Sequence, residues 1–197
     1  MAEILDEENW KKQEPEPDLP ATQGLSYSFN DTTREATVIN LQQSVPNTDI
    51  VIPSTVSHQG VEYTVTAIGE RAFFNRQRKL TSVVIPNTVK SIGHSAFGFN
   101  QLTHVTIPDS VTSMGGNVFS NNQLTSVNLS NSLTEMGAGV FSNNQITHFE
   151  IPSSLTTIPA QSFLNKPLAT IKVSGSLTRV GIQAFQGSPL QYIGTVT

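Results

Sequence analysis

The sequence predicts a mostly β-structured solenoid, in which short coils of equal length stack on one another. Three observations lead to this prediction. Apolar residues recur every 22 positions over more than half of the chain, polar and apolar residues alternate in the strand-like segments, and only 13% of the 197 residues are charged. Since soluble domains usually contain about 25% charged residues, long salt-bridged surface helices are not expected.

Five apolar columns keep the 22-residue period, and each contributes one residue to every coil. The columns are Leu80, Leu102, Leu124, Ile146, Leu168 and Leu190; Ile85, Ile107, Leu129, Ile151 and Val173; Val89, Val111, Leu133, Leu155 and Leu177; Ile92, Met114, Met136, Ile158 and Val180; and Phe97, Phe119, Phe141, Phe163 and Phe185. A period of about 20–29 residues with an L-x-x-V-x-I strand is typical of leucine-rich-repeat solenoids. In such solenoids each coil buries its apolar face only against its neighbours.

One coil, residues 102–123, shows why each element should form. Val105 alternates with polar neighbours, which predicts a short strand, and Pro108 ends that strand because proline has no N–H to donate. A second extended piece follows, and the Asn121-Asn122 pair supplies turn residues before the next coil. We therefore expect a right-handed leucine-rich-repeat solenoid, mostly β within the α/β leucine-rich-repeat class, with about five to six 22-residue coils.

Residues 25–66 lack the period and read as a separate element. Two alternating segments, 25–29 and 36–41, flank the turn-favouring sequence Asn-Asp-Thr-Thr and predict a β-hairpin. Gln-Gly at 59–60 predicts a second turn. We interpret residues 25–66 as an N-terminal β cap on a solenoid at residues 67–197, because a terminal repeat needs a face that does not stack.

Residues 1–24 form an acidic, Pro/Glu-rich segment with seven acidic and two basic side chains, so the rest of the chain is nearly neutral. Such a composition cannot build a core and is interpreted as a tail or linker. The alternative is a docking peptide anchored by Ile4, Leu5 and Trp10. The segment has neither the basic start nor the apolar centre of a secretion signal.

Three segments resemble the BspA-like leucine-rich repeats of bacterial surface proteins. They are LTHVTIPDSVTSMGGNVFSNNQ at 102–123, VIPNTVKSIGHSAF at 84–97, and VIPSTVSHQGVEYTVTAIGERAF at 51–73, the last of which resembles a first repeat. The likeness covers about residues 50–197 and implies an extracellular or cell-surface protein that binds a partner or mediates adhesion. Ser130 and Ser174 replace a recurrent proline, and Pro159 replaces a turn glycine, so we expect looser local turns in an unchanged coil.

Outward strand positions form two columns, which we call the sheet face. Its members are Ser82, His104, Ser126, His148 and Thr170 in one column and Val84, Thr106, Asn128, Glu150 and Lys172 in the other. Solenoids commonly bind ligands on such a surface, so we predict that it recognises a protein or surface-glycan partner. The alternative is that these are solvated strand positions, with an ion pair between the neighbours Glu150 and Lys172.

Four basic residues crowd a two-residue insertion before the first regular coil: Arg71, Arg76, Arg78 and Lys79. This basic loop is either a patch for an acidic partner, a polyanion or the acidic tail, or simply an exposed loop. The rest of the domain is nearly neutral, so we do not expect nucleic-acid binding. No apolar stretch is long enough for membrane insertion.

The sequence offers no enzyme chemistry, and we predict no catalytic residue, cofactor or metal. The chain contains no cysteine, which excludes thiolate catalysis and zinc–thiolate sites. No G-x-S-x-G segment or Gly-rich phosphate loop is present. His104 and His148 are two coils apart with no evident third ligand. The threonine columns raise the alternative of ice binding, but threonine is explained by its preference for strands.

Leu190 begins a sixth strand, which we expect to be paired on one edge only. An uncovered edge over an apolar coil is a template for pairing with another chain, so we expect either further repeats in a longer parent or end-to-end self-association through the C-terminal coil. The alternative is a monomer whose last strand frays. The sequence thus favours a non-enzymatic recognition or adhesion module that binds a macromolecule through the sheet face. The alternative is a structural subunit of a larger surface or particle assembly, docked through its solenoid end and acidic N-terminal tail.

Overall fold

The computed structural model describes residues 24–42, 48–74, 80–165 and 167–189, and within these ranges the chain forms strands and turns but no α-helix. The mostly β fold class is therefore confirmed. The strands are β1 (Leu25–Asn30), β2 (Glu35–Leu41), β3 (Asp49–Val51), β4 (Thr55–His58), β5 (Val61–Ile68), β6 (Ser82–Val84), β7 (Ser91–Ile92), β8 (His104–Thr106), β9 (Ser113–Met114), β10 (Ser126–Asn128), β11 (Glu135–Met136), β12 (His148–Ile151), β13 (Thr157–Ile158), β14 (Thr170–Val173) and β15 (Arg179–Val180).

The N-terminal strands form the hairpin that the sequence predicts, since β1 pairs antiparallel with β2. A second hairpin joins β4 to β5 through Gln59 and Gly60, whose φ angles of 52° and 78° suit a tight two-residue turn. These hairpins attach directly to the repeats: β5 pairs in parallel with β7, and β3 pairs in parallel with β6. The cap and the first coil are therefore continuous in both hydrogen bonding and core.

On two sides of the coil stack, the strands of successive coils pair in parallel. On one side, β1, β2, β5, β7, β9 and β11 follow one another in a single sheet, which we call the long sheet, with β4 added on β5. On the other side, the strands of the sheet face form three two-stranded ladders, β3–β6, β8–β10 and β12–β14. The remaining pair, β13–β15, continues the side of the long sheet without joining it.

The phenylalanine column forms the centre of the core. Phe97, Phe119, Phe141 and Phe163 are all fully buried. Consecutive rings lie 5.3, 6.0 and 6.0 Å apart, and the first two pairs are parallel within 3°. The predicted burial of Phe119 and Phe141 against their column neighbours is confirmed. At the last described coil, Phe185 is only partly buried, because no further described coil covers it.

The two residues of the Asn-Asn pairs at 121–122 and 143–144 have different roles, of which the sequence predicted one. Asn121 lies at a turn with φ of 56°, as expected. Asn122 is buried, and its amide donates to the carbonyl oxygens of Phe97 and Phe119 at 2.9 and 3.1 Å. Asn144 repeats the same pattern one coil later. The second asparagine is therefore a hydrogen-bonded link between consecutive coils.

Two of the three recurrent prolines, Pro108 and Pro152, lie at the breaks on the sheet-face side. Ser174 donates its backbone N–H to Ile151 of the preceding coil at 3.0 Å, which a proline cannot do. Pro108 and Pro152 occupy the equivalent position where β6 and β8, and β10 and β12, are not paired. Proline alone does not cause a break, since Pro86 follows β6, which pairs with β3. Ser174 thus tightens its coil boundary, contrary to the looser turn that we expected there.

Pro159 marks a break in the other sheet. Gly93, Gly115, Gly137 and Gly181 each donate their N–H to the preceding coil at 2.7 to 2.9 Å, and none has room for a Cβ atom. Pro159 occupies this column without an N–H, and β11 does not pair with β13 beside it. Both ladders are thus interrupted between the coil at 124–145 and the coil at 146–167. Within the described ranges, the side of the coils that carries the turns, which we call the turn side, keeps backbone bonds across that boundary, such as that from Phe141 to Ser162 at 3.1 Å. Ser154 adds a bond from its hydroxyl to the carbonyl oxygen of Leu133 at 2.7 Å.

Candidate functional site

The structure brings the sheet-face residues together as the sequence predicts for a repeating strand. In β8 and β10, His104 lies beside Ser126, and Thr106 lies beside Asn128, in parallel register. In β12 and β14, His148 lies beside Thr170, and Glu150 beside Lys172. Ser82 and Val84 lie on β6, which pairs with β3. The ten residues thus lie on five strands of one side, in three separate ladders rather than in one continuous sheet.

Glu150 and Lys172 form the expected ion pair, with a distance of 3.4 Å between Nζ and Oε1. Ser174 donates its hydroxyl to the same carboxylate oxygen at 2.7 Å. Because the lysine side chain is 66% exposed, the pair contributes little to stability. Its effect is to place a fixed positive and a fixed negative group side by side, which can orient a polar partner.

Asp49 extends the sheet face by one strand, and our sequence reasoning placed it in the cap instead. Its carboxylate accepts hydrogen bonds from the hydroxyls of Ser82 and Thr81 at 2.7 and 2.8 Å. These two bonds hold the pKa of Asp49 below its ordinary value. The signal was present in the sequence, because Asp-Ile-Val-Ile-Pro at 49–53 matches Ser-Val-Val-Ile-Pro at 82–86.

The two histidines of the sheet face each contact the threonine that precedes them. His148 Nδ1 lies 2.8 Å from the Thr147 hydroxyl, and His104 Nδ1 lies 3.3 Å from that of Thr103. In the described ranges, no group of three His, Cys, Asp or Glu side chains is placed to hold a metal ion. The histidines therefore act as exposed hydrogen-bonding side chains on the surface.

A polar groove lies on the opposite side, where the cap meets the long sheet. It encloses about 370 Å³ and is lined by Ser28, Asn30, Glu35, Thr37, Thr66 and Lys90, among others. Lys90 Nζ bonds Glu35 at 2.9 Å, and this bond, with a second from the Thr33 hydroxyl, lowers the pKa of Glu35. The pair also ties the cap to the first coil. Sequence reasoning missed it, because the two residues are far apart along the chain.

Of the predicted basic loop, the structure describes only Arg71, and its partner is aromatic. The Arg71 guanidinium lies 5.1 Å from the centre of the Phe74 ring, a cation–π contact. Arg76, Arg78 and Lys79 lie outside the described residues, as do the tail at 1–23 and the strand predicted from Leu190. Arg71 is therefore part of an aromatic cluster in the structure.

A stack of coils with a 22-residue period, with repeated apolar columns inside and a polar strand face outside, defines a leucine-rich-repeat protein. The family model for the BspA-type leucine-rich repeat region matches residues 66–191 in six copies, which is well over half of the chain. The chain belongs to this family. The resemblance found in the sequence is thereby confirmed.

Solved structures of bacterial leucine-rich-repeat proteins have the same fold. A leucine-rich cell surface protein from Faecalibacterium prausnitzii is 25% identical with a TM-score of 0.65, and the match covers 89% of this chain and 55% of that one. A leucine-rich repeat protein from Bacteroides ovatus is 22% identical with a TM-score of 0.65, and the match covers 89% and 58% of the two chains. A T. pallidum leucine-rich repeat protein is 20% identical with a TM-score of 0.67 and coverages of 89% and 85%. The chain thus spans little more than half the length of the first two.

No curated protein is similar to this chain at a significant level. Within the described ranges, none of the secondary structure is a helix that could cross a membrane. The family and the first structural neighbour together indicate a repeat protein of the bacterial surface kind.

Proposed function

We propose that this protein is a non-enzymatic recognition or adhesion module that binds a macromolecular partner through the sheet face, outside the cell or on its surface. The observation that carries the proposal is the alignment of side chains from Ser82 to Lys172 on one exposed side. In β8 the side chains of His104 and Thr106 are exposed and that of Val105 is buried, because side chains alternate between the two faces of a strand. The surface is preformed, so a partner binds it without ordering the chain.

The composition of the face fits a polar partner. His104, Thr106 and Ser126 are exposed, and the Glu150–Lys172 pair supplies the only opposite charges among its ten residues. Hydroxyl, imidazole and amide groups both donate and accept hydrogen bonds, so they match a polar protein surface or a glycan. The ion pair would then fix the orientation of the partner more than it would add affinity.

Charge reversal tests the sheet face. The fluorescently labelled protein is applied to intact bacterial and animal cells, and binding is measured for Glu150→Lys, Lys172→Glu and the double variant. We expect each single change to weaken binding, because it places like charges side by side, and the double variant to recover part of it. Binding that is unchanged in both single variants would contradict recognition through this face.

The absence of cysteine allows a second, independent test. A single Thr106→Cys variant carries a photo-crosslinker on the sheet face, and Glu135→Cys carries it on the exposed surface of the long sheet. With cells that bind the protein, we expect a crosslinked product from the first variant and not from the second. The reverse result would place the contact on the other side of the coils.

The last described coil supports a second candidate, a structural subunit docked through the solenoid end. Val180 and Ile182 are 52% and 81% exposed there, although Val180 continues a column that is buried in every earlier coil. An apolar coil surface of this kind fits a second copy or another subunit. Ile182→Asp should then shift sedimentation toward the monomer, whereas Glu150→Lys should not. Identical monomeric sedimentation of wild type and variant would exclude docking of a second copy.

A further inference from the structure

Each coil turns its corner with two residues in the left-handed backbone conformation. The φ angle lies between 52° and 82° at every described member of the two columns that these residues form. The first column is Arg71, Ser95, Asn117, Gly139, Gln161 and Gln183; the second is Phe99, Asn121, Asn143, Asn165 and Gly187. Glycine and asparagine adopt this conformation more readily than other residues, and they fill most of the second column.

Phe99 departs from that pattern. Its φ is 59°, and its side chain is 48% exposed, which is the largest exposure of any aromatic residue in the described ranges. A bulky side chain is strained in left-handed backbone, and an exposed ring gains little from burial. The equivalent position in the next coil is occupied by Asn121, a residue type that adopts this conformation more readily. Two unfavourable features at one residue point to a functional constraint.

Neighbouring side chains hold the Phe99 ring in place. The Phe74 ring meets it edge-on at 5.4 Å, and the Arg71 guanidinium lies over Phe74 at 5.1 Å. Phe74 in turn packs against Gly98, where a Cβ atom would lie only 3.2 Å from the ring. We call Arg71, Phe74 and Phe99 the aromatic platform. It presents a fixed, half-exposed ring at the corner of the coils.

A row of side-chain amides continues from the aromatic platform along the same corner. Asn143 donates to Asn121 at 3.2 Å, and Asn165 donates to Asn143 at 3.1 Å. We call these three residues the amide row. Each amide has two N–H groups and an oxygen with two lone pairs, and the row uses only one of each at Asn143. From Phe99 onward, the described members of both corner columns carry no charge.

We propose that the aromatic platform and the amide row bind a neutral, linear hexose polysaccharide lying along the stack of coils. Sugar hydroxyls both donate and accept hydrogen bonds, as amides do, and the C–H face of a sugar ring packs on an aromatic ring. Coils repeat at about 4.8 Å, a spacing comparable with one sugar unit, so successive amides meet successive units. The amide row carries no positive charge, so it does not favour a polyanion. A protein partner would need an apolar centre larger than one ring.

This site is distinct from the sheet face, so it can be tested separately. Calorimetric titration of the full chain uses a soluble β-glucan, a mannan and a dextran as neutral probes, and heparin as the polyanionic control. The variants are Phe99→Asn, which removes the ring but suits the backbone, and Asn143→Gly, which removes one amide. Glu135→Gln, which changes an exposed carboxylate on the long sheet, is the matched control.

We expect at least one neutral polymer to bind and heparin not to bind. Phe99→Asn should lower the affinity at least about fivefold without lowering the Tm, and Asn143→Gly should lower it about threefold. Glu135→Gln should bind like the wild type. The proposal is overturned if none of the three polymers binds, if Phe99→Asn binds equally well, if heparin binds as tightly, or if Glu135→Gln loses the binding.

Discussion

The side-chain nitrogen of Asn122 donates a hydrogen bond to the backbone oxygen of Phe97, one coil earlier, at 2.9 Å. The side-chain oxygen of the same residue accepts the N–H of Leu102 at 3.0 Å. One buried amide therefore satisfies a carbonyl and an N–H that no ladder strand reaches. This link repeats at Asn100 and Asn144, so the turn side of the stack is held by side chains as well as by the backbone.

Replacing Asn122 with alanine should destabilise the protein by about 1–3 kcal/mol, because a buried N–H and a buried carbonyl lose their partners. Urea denaturation followed by circular dichroism measures the change. The matched control is Gln123→Ala, which alters an exposed neighbour and should change the free energy of unfolding by less than about 0.5 kcal/mol. Equal losses in the two variants would mean that the Asn122 amide is not what links the coils.

Truncating Phe119 to alanine should cost about 3–5 kcal/mol, since a fully buried ring is removed from between two others. Phe119→Leu keeps most of the side-chain volume and should lose clearly less free energy of unfolding. It allows the column to be tested even if the alanine variant does not fold. Phe185→Ala removes a partly buried ring with one stacked neighbour and should cost less than Phe119→Ala. An unchanged melting temperature in Phe119→Ala would contradict the role of the column.

Hydrogen exchange should divide the repeats at the boundary between residues 145 and 146. Both ladders are interrupted there. We therefore expect the opening free energy for exchange of the Ile171 amide in β14 to be about 2 kcal/mol lower than that of the Val127 amide in β10. Pro159→Gly restores an N–H and removes the ring, so the difference between the opening free energies of these two amides should decrease by about 1 kcal/mol. An unchanged difference in Pro159→Gly would show that Pro159 does not cause the break.

High pH should destabilise the cap through Tyr27. Burial raises the pKa of its phenol to about 12, above the ordinary value of 10.0, because the folded protein disfavours the phenolate. The stabilisation is thus complete below pH 10 and is lost as the pH rises from 10 toward 12. Urea midpoints measured between pH 9 and pH 11.5 should fall less steeply in Tyr27→Phe than in wild type. Parallel curves for the two proteins would contradict this assignment.

The features that depend on repetition could be predicted from the sequence. The positions of Phe119, Val105 and His104 follow from the period alone, since a column that is apolar in every coil must face the shared core. The Glu150–Lys172 pair follows from the same arithmetic, because residues 22 apart lie side by side on parallel strands. The placement of the ten sheet-face residues on one side of the coils follows for this reason, and their role in binding stays a prediction.

The features that depend on a single departure from the repeat could not be predicted in the same way. The sequence shows that Pro159 replaces a glycine, but the loss of pairing depends on how closely two backbones approach at that column. The burial of Asn122 beside the exposed turn residue Asn121 depends on which of two adjacent amides faces the core. The strain at Phe99 depends on a φ angle that residue identity alone does not give.

The boundary beside Pro159 also determines how the stack responds to force. If a surface protein of this kind is pulled from its two ends, the load passes through every coil boundary in series, and the least bonded one opens first. The coils that carry His104 and Thr106 lie on one side of that boundary, and the Glu150–Lys172 pair lies on the other. Tension would therefore separate the two parts of the sheet face before either part unfolds, so a partner that spans both would be released while each group of coils remains folded.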